Sequence, residues 1–216
     1  MHAALSGLTG VHCIADDILI SGSGETIADA ERDHDKNLIA LLKRCREKGI
    51  KLNRSKLRLN RESTIYMGHE LTSSGLRADK RKVEAILKLP IPEDKKALQR
   101  ALGMATFLAR YCAHFSEITA PLRELIHFRH EFRWDVRHTA AFERLKAMLA
   151  SAPVLTYYSP DKEIIVQCDA SQSGLGAVIT QDGKVIEYAS RALTETEKNY
   201  AQIEKKLLSL IWGLNR

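Results

Sequence analysis

The sequence predicts an α+β fold, and three observations carry the prediction. Residues 11–21 set two short apolar runs on either side of "ADD", the pattern of a β-hairpin. Residues 25–48 and 94–112 space their apolar side chains at helical intervals. After "APVL" the pattern changes to three strand candidates, "EIIVQCDAS", "GLGAVITQ" and "VIEYASR". Turns such as "QDGK" separate them, which reads as an antiparallel meander.

Taken in order, the hairpin is an apolar strand, a tip at Asp16-Asp17, and a return strand "ILIS". The helix over 25–48 carries Ile27, Leu38, Leu41, Leu42 and Cys45 at helical spacing, and Gly49 follows as its cap. Short strands are predicted around "IKLN", "LRLN" and "IYMGHEL", with the turn "TSSG" after them. A short helix at 79–88 stops at "LPIPED", where Pro90 and Pro92 break it. A longer helix from Asp94 to Cys112 places Leu98, Leu102, Ala105, Leu108 and Cys112 on one face. Another spans 138–150 with Phe142, Leu145 and Leu149. Thr194-Glu195-Thr196-Glu197 offers a capping box for a final helix. There is no internal repeat and no low-complexity linker, and both chain ends look cut.

A length of 216 residues suits one large domain or two small ones. An apolar content of 44% with 28% charged residues is ordinary for a globular chain and wrong for a disordered one. No apolar run approaches the length of a bilayer span, and "MHAALSGLTG" lacks the basic start and apolar core of a secretory signal. The expected location is therefore intracellular, cytoplasmic or nuclear. Cys13, Cys45, Cys112 and Cys168 are scattered with no CxxC pair, which argues against a zinc site or disulfide scaffold and for a reducing compartment. The net charge is +6, and the surplus is local: residues 43–62 hold nine Lys/Arg against two Glu. Such a block is either a phosphate-attracting footprint or a solvated helix end, and charge alone does not choose.

Asp16 and Asp17 pose the chemical question. Side by side they repel, and a divalent cation removes the penalty; Mg²⁺ prefers carboxylate oxygen. An Asx-type turn is the commoner reading of an arbitrary "DD". Here apolar arms on both sides fix the tip, which shifts the balance toward metal binding. No GxSxG, no paired Cys–His and no histidine cluster offers another hydrolytic site.

"IADDILISG" resembles the YxDD catalytic hairpin of reverse transcriptases. The resemblance continues along the chain in the order found in Ty3/gypsy-type LTR retrotransposon Pol polyproteins. "GIKLNRSKLRL" resembles the segment after the palm helix, "YMGHELTSSGL" the primer-grip hairpin, and "LQRALGMATFLARYCAHFSEITAPL" the thumb helix. "FRWDVRHTAAFERLKAMLASAPVL" resembles the connecting segment. "VQCDASQSGLGAVITQ" and "YASRALTETEKNYAQIEKKLL" resemble the opening of the attached ribonuclease H domain. The implied architecture is a partial palm with primer grip over 1–72, a helical thumb over 73–126 and a connection over 127–160. A truncated ribonuclease H-like mixed sheet would follow over 161–216.

The resemblance also implies roles. Asp16 and Asp17 are two of three polymerase aspartates that hold Mg²⁺. Met67, Gly68 and His69 form the primer grip. Lys56 approaches either the incoming deoxynucleoside triphosphate or template phosphates. Gln99, Gly103 and Phe107, one helical turn apart, face the RNA/DNA primer–template duplex, with Gly103 allowing close approach. Helical spacing alone instead favours core packing for Phe107. Asp169 matches the first of four ribonuclease H carboxylates.

Three departures matter. The tyrosine of YxDD is Ile14. The third palm aspartate is expected before residue 1, and two ribonuclease H aspartates beyond residue 216. The second glutamate of the "EKE" motif falls on Lys206, and Glu204 lies about 200° away around the helix. The parent function is RNA-directed DNA synthesis coupled to RNA-strand removal. This fragment alone is expected to do neither, and a non-catalytic nucleic-acid-binding remnant is the rival reading.

Overall fold

The computed structural model describes residues 2–127 and 131–216; residues 128–130 of the expected connection lie outside the described residues. The chain forms two compact units, one ending at Leu71 and the other beginning at Thr72. Strand orders are β1-β2, β3-β4-β5 and β6-β7-β8.

In the first unit, the short helix α1 (His2–Leu5) precedes β1 (Val11–Ile14) and β2 (Asp17–Ile20). The register pairs Ile14 with Asp17, so the loop is Ala15-Asp16 and Asp17 opens the return strand. The expected Asp16-Asp17 tip is thus shifted by one residue, because Ala15 takes the left-handed conformation (φ 51°) that starts a two-residue turn.

Helix α2 (Ile27–Glu47) begins at a capping box. The Thr26 hydroxyl accepts from Asp29 N at 3.2 Å and the Asp29 carboxylate accepts from Thr26 N at 3.3 Å. It ends in a Schellman arrangement: Ile50 N donates to Cys45 O at 2.8 Å, and Gly49, at φ 66°, donates to Arg46 O at 3.3 Å. Its buried face is Asn37, Leu41 and Cys45, whereas Ile27 and Leu42 stand exposed. The predicted apolar face is therefore only partly the packed one. Leu5, Cys13, Leu41 and Cys45 form the small core, with Val11, Ile18, Ile20 and Ile50 against it.

"IKLN" and "LRLN" are not strands. Residues 51–62 are all exposed, with a single 3₁₀ turn at Arg54–Lys56. Alternating Lys and Arg leave this segment no apolar face to bury, and Asn53 turns the chain locally by accepting from Ser55 N at 2.9 Å. The hairpin β3 (Ser63–Tyr66) and β4 (His69–Thr72) follows as expected. Met67 (φ 49°) and Gly68 (φ 75°) both sit left-handed, as a two-residue turn between twisted strands requires.

The second unit opens with β5 (Gly75–Ala78), α3 (Lys80–Leu87) and α4 (Lys95–Phe107). The α4 helix stops at Phe107 rather than Cys112. A 3₁₀ turn over Ala109–Tyr111 takes over, and its tighter winding drives Leu108, Tyr111 and Cys112 together into the core. Helix α5 (Phe115–Ile126) was not foreseen as a separate element, since it follows a left-handed His114 and contains Pro121. Helix α6 (Val136–Ala150) buries Phe142, Leu145 and Leu149 as expected. Trp134 packs edge-on to Phe142 at 5.9 Å and donates from its indole N to Thr139 Oγ1 at 2.9 Å.

Strands β6 (Ile165–Ala170), β7 (Gly174–Gln181) and β8 (Lys184–Ala192) form the predicted meander. Among the described residues this sheet is wholly antiparallel, not mixed. A parallel partner needs a crossover, and the one helix placed to make it, α8, comes after the last described strand. Val185 and Tyr188 join the helical core, while Ala170, Leu175 and Leu193 form a separate cluster with Leu208 and Trp212. Ser116 N donates to Ser190 Oγ at 3.0 Å, and Arg110 pairs with Glu187 at 2.7 Å, so these helices and the sheet share one unit.

The predicted capping box at Thr194 is present but starts only α7 (Glu195–Lys198). The chain breaks at 199–201 before α8 (Gln202–Leu214), so the expected final helix is two. Arg191 grips Glu197 with both guanidinium nitrogens at 2.7 and 2.9 Å, which fixes α7 against the end of β8. Among the described residues, no helix is long and apolar enough to cross a membrane.

Candidate nucleic-acid interface

The carboxylate end of the first unit is built by β1 and β2. Asp16 and Asp17 are both exposed. Ala15 holds an uncommon backbone conformation for a residue with a side chain, a form of strain that collects at functional turns. Tyr66, at the end of β3, reaches this hairpin: its hydroxyl donates to His12 O at 3.4 Å. Burial, and then the nearby Cys13 and Asp17, push the Tyr66 hydroxyl above its usual pKa. The Met67-Gly68 turn follows directly, with Met67 exposed and His69 half-buried on β4. The structure thus brings the acidic hairpin and the predicted primer grip to one place within the first unit. Lys56 is exposed in the basic segment, on its 3₁₀ turn.

Two hard carboxylates suit the class of Mg²⁺ site completed by water and substrate phosphates. They do not make a closed cage: among the described residues no three His, Cys, Asp or Glu side chains converge to hold a metal ion.

In the second unit, α4 buries Leu98, Ala101, Leu102 and Ala105 and turns Gln99, Gly103 and Phe107 outward. Phe107 is 41% exposed, so it is not the core residue its spacing alone favoured. A side chain built at Gly103 would meet nothing within 4 Å. Glycine inside a helix costs about 1 kcal/mol relative to alanine, and no protein contact here explains it. Arg100 and Met104 share the exposed side, and Lys82 of α3 sits 3.4 Å above the Phe107 ring. Lys82 is not legible in the sequence because it lies 25 positions before the ring it touches, on a different helix.

Asp169 is exposed on β6, opposite Gly176. On α8, Lys205 and Ser209 are buried and Gln202 donates to Ala170 O at 2.7 Å, whereas Lys206 is exposed. No group of three His, Cys, Asp or Glu side chains able to hold a metal ion forms around Asp169 among the described residues.

Comparison with known proteins adds the following. Residues 134–216 match the family described as the RNase H-like domain found in reverse transcriptase. Over 99% of the chain it is 29% identical to the retrovirus-related Pol polyprotein from transposon 297 of Drosophila melanogaster. It is 30% identical to that from transposon gypsy of the same organism over 93% of the chain. The chain spans about one fifth of the length of these curated relatives, 20% of each. Among solved structures it is similar to a foamy viral protease-reverse transcriptase in complex with RNA/DNA hybrid. That match has a TM-score of 0.86 and 27% identity, covering 99% of this chain and 29% of the other.

Proposed function

Since the chain belongs with the Pol polyproteins of gypsy-type LTR retrotransposons and carries the RNase H-like domain of reverse transcriptase over residues 134–216, we propose that it is the part of a reverse transcriptase that holds the primer–template. It does so without completing either active site. Residues 1–72 are the end of the palm with the primer grip and 73–126 the thumb; the family match from residue 134 takes in most of the expected connection, 127–160, together with the start of the ribonuclease H-like domain, 161–216.

The observation that carries this reading is the α4 face. Gln99, Gly103 and Phe107 line one exposed stripe, and Gly103 keeps open a space that no part of the chain uses. A helix that gives up stability to stay flat invites close approach by a groove. The RNA/DNA hybrid named for the foamy viral relative supports the same partner class here. Met67, Gly68 and His69 set the primer end, and Lys56 serves the phosphates of template or incoming deoxynucleoside triphosphate. Asp16 and Asp17 would hold Mg²⁺. Bound there, such an ion would supply Lewis-acid activation for the primer 3′-hydroxyl and charge stabilisation for the departing pyrophosphate. With only Asp16 and Asp17 to hold the ion, the chain gives no nucleotide incorporation unaided. With Lys206 at the glutamate position and Asp169 alone, it gives no hybrid cleavage. The rival reading, a remnant that binds but never catalyses in any context, draws on the exposed Lys206.

Anisotropy with a labelled RNA–DNA hybrid, run beside primer extension in Mg²⁺, tests the proposal. Expected are binding that falls steeply with salt and no extension product. A chain that ignores hybrid at low salt, or extends a primer by itself, overturns it.

A further inference from the structure

We propose that Lys82 is a further nucleic-acid contact, a phosphate ligand held in position by the Phe107 ring. The inference rests on the reading that the exposed side of α4 meets a duplex.

Helix α3 starts at Asp79, a buried N-cap whose carboxylate accepts from Arg81 N at 3.0 Å, Arg81 Nε at 3.3 Å and Arg81 Nη2 at 3.0 Å. Arg81 is thereby committed to the helix start. Its neighbour Lys82 is not: its ammonium lies 3.4 Å from the centroid of Phe107, and among the described residues no carboxylate lies within 4.0 Å of it. A lysine on an aromatic face keeps its full charge and leaves N–H donors pointing away from the ring. The contact also restrains a long, flexible stem before any ligand arrives, which lowers the ordering cost of binding.

The surroundings select an anion. Lys96 and Arg100 are exposed on α4, so Lys82 adds to a cationic rim beside the open surface at Gly103. Phe107 then has two tasks. Part of its ring remains exposed to meet sugar or base, and a face of it carries the ammonium that meets the adjacent phosphate. Such pairing explains why an aromatic ring is kept at the surface here.

The test uses the full chain and a fluorescein-labelled RNA–DNA hybrid, with affinity followed from 50 to 200 mM salt. Lys82→Gln is expected to weaken binding severalfold and to lower the salt slope by about one. Lys82→Arg restores the slope. In a Phe107→Leu background Lys82→Gln costs less than in the parent, because the ring no longer positions the charge. Thermal melts confirm folding, and Lys82→Arg keeps the test decisive should Lys82→Gln melt early. If Gln99→Ala and Phe107→Leu weaken binding while Lys82→Gln leaves affinity and slope unchanged, the Lys82 inference is wrong and the α4 reading stands. If no α4 substitution alters binding, both fall.

Discussion

The acidic positions and the α4 surface make instructive opposites. Asp16 sits in a two-residue turn and Asp17 opens β2, over a small core of Leu5, Cys13, Leu41 and Cys45. Asp169 stands on β6, and no three metal-ligating side chains gather there among the described residues. The α4 surface instead rests on Leu98, Leu102, Ala105 and Leu108 within an extensive helical core, and α3 completes it with Lys82. A metal site needs several like charges brought together from distant segments, and each alone is costly. A duplex-binding face needs one amphipathic helix and a neighbour. Among the described residues the amphipathic helix and its neighbour are in place, whereas no three metal-ligating side chains gather.

That contrast can be broken from either side. The largest effect is expected from Leu98→Ala beneath the α4 surface. Leu98 is fully buried, and its truncation should cost about 3 kcal/mol. Urea unfolding followed by circular dichroism measures it, and a loss under 1 kcal/mol would contradict the packed frame. On the acidic side, Lys206→Glu placed in a longer Pol polypeptide should raise Mg²⁺-dependent hybrid cleavage on the order of 100-fold, as restoring a metal site's ligand shell implies. Efficient cleavage with Lys206 unchanged would show that the glutamate position lies elsewhere on α8.

The Arg191–Glu197 clamp is third. The Arg191 guanidinium, then the Thr194 backbone N–H, hold the Glu197 carboxyl down at about 2, against 4.5 for an ordinary glutamate. Its stabilisation is therefore full above the ordinary value and lost as pH falls from about 4.5 toward 2. Glu197→Gln should destabilise by on the order of 2 kcal/mol at pH 7. The gap to the parent should close in acid, as denaturant midpoints across pH would register. The smallest effect sharpens the comparison most. Gly103→Ala should stabilise the fold by roughly 0.5–1 kcal/mol while weakening hybrid binding. A variant that gains stability and keeps its affinity would mean that nothing approaches α4 at that point.

Local signals were legible and convergent ones were not. Gly49, Thr194 and the Asp182-Gly183 turn each act within a few residues, and the elements they punctuate stand near where the sequence places them. Pro121 and the left-handed His114 concealed α5, because proline reads as a stop unless its helix is already packed. The apolar residues of "IKLN" and "LRLN" suggested strands that no partner face was present to pay for. For the site, the alternation and "DD" marked the hairpin, and i+4 spacing marked the α4 stripe. Whether Phe107 faced in or out was settled only by which side Leu98, Leu102 and Ala105 buried. Lys82 on its ring was invisible, since no periodicity joins α3 to α4.

The chain has two tryptophans, Trp134 and Trp212, one against the helical core and the other against the small cluster between sheet and α8. Each indole is a separate optical reporter, and replacing either with phenylalanine leaves a single-colour gauge of the other core. Neither lies ahead of residue 134, so tryptophan emission is blind to the stretch bearing Asp16 and Asp17. An indole introduced at exposed Ile65, beside Tyr66, would give that silent half a voice.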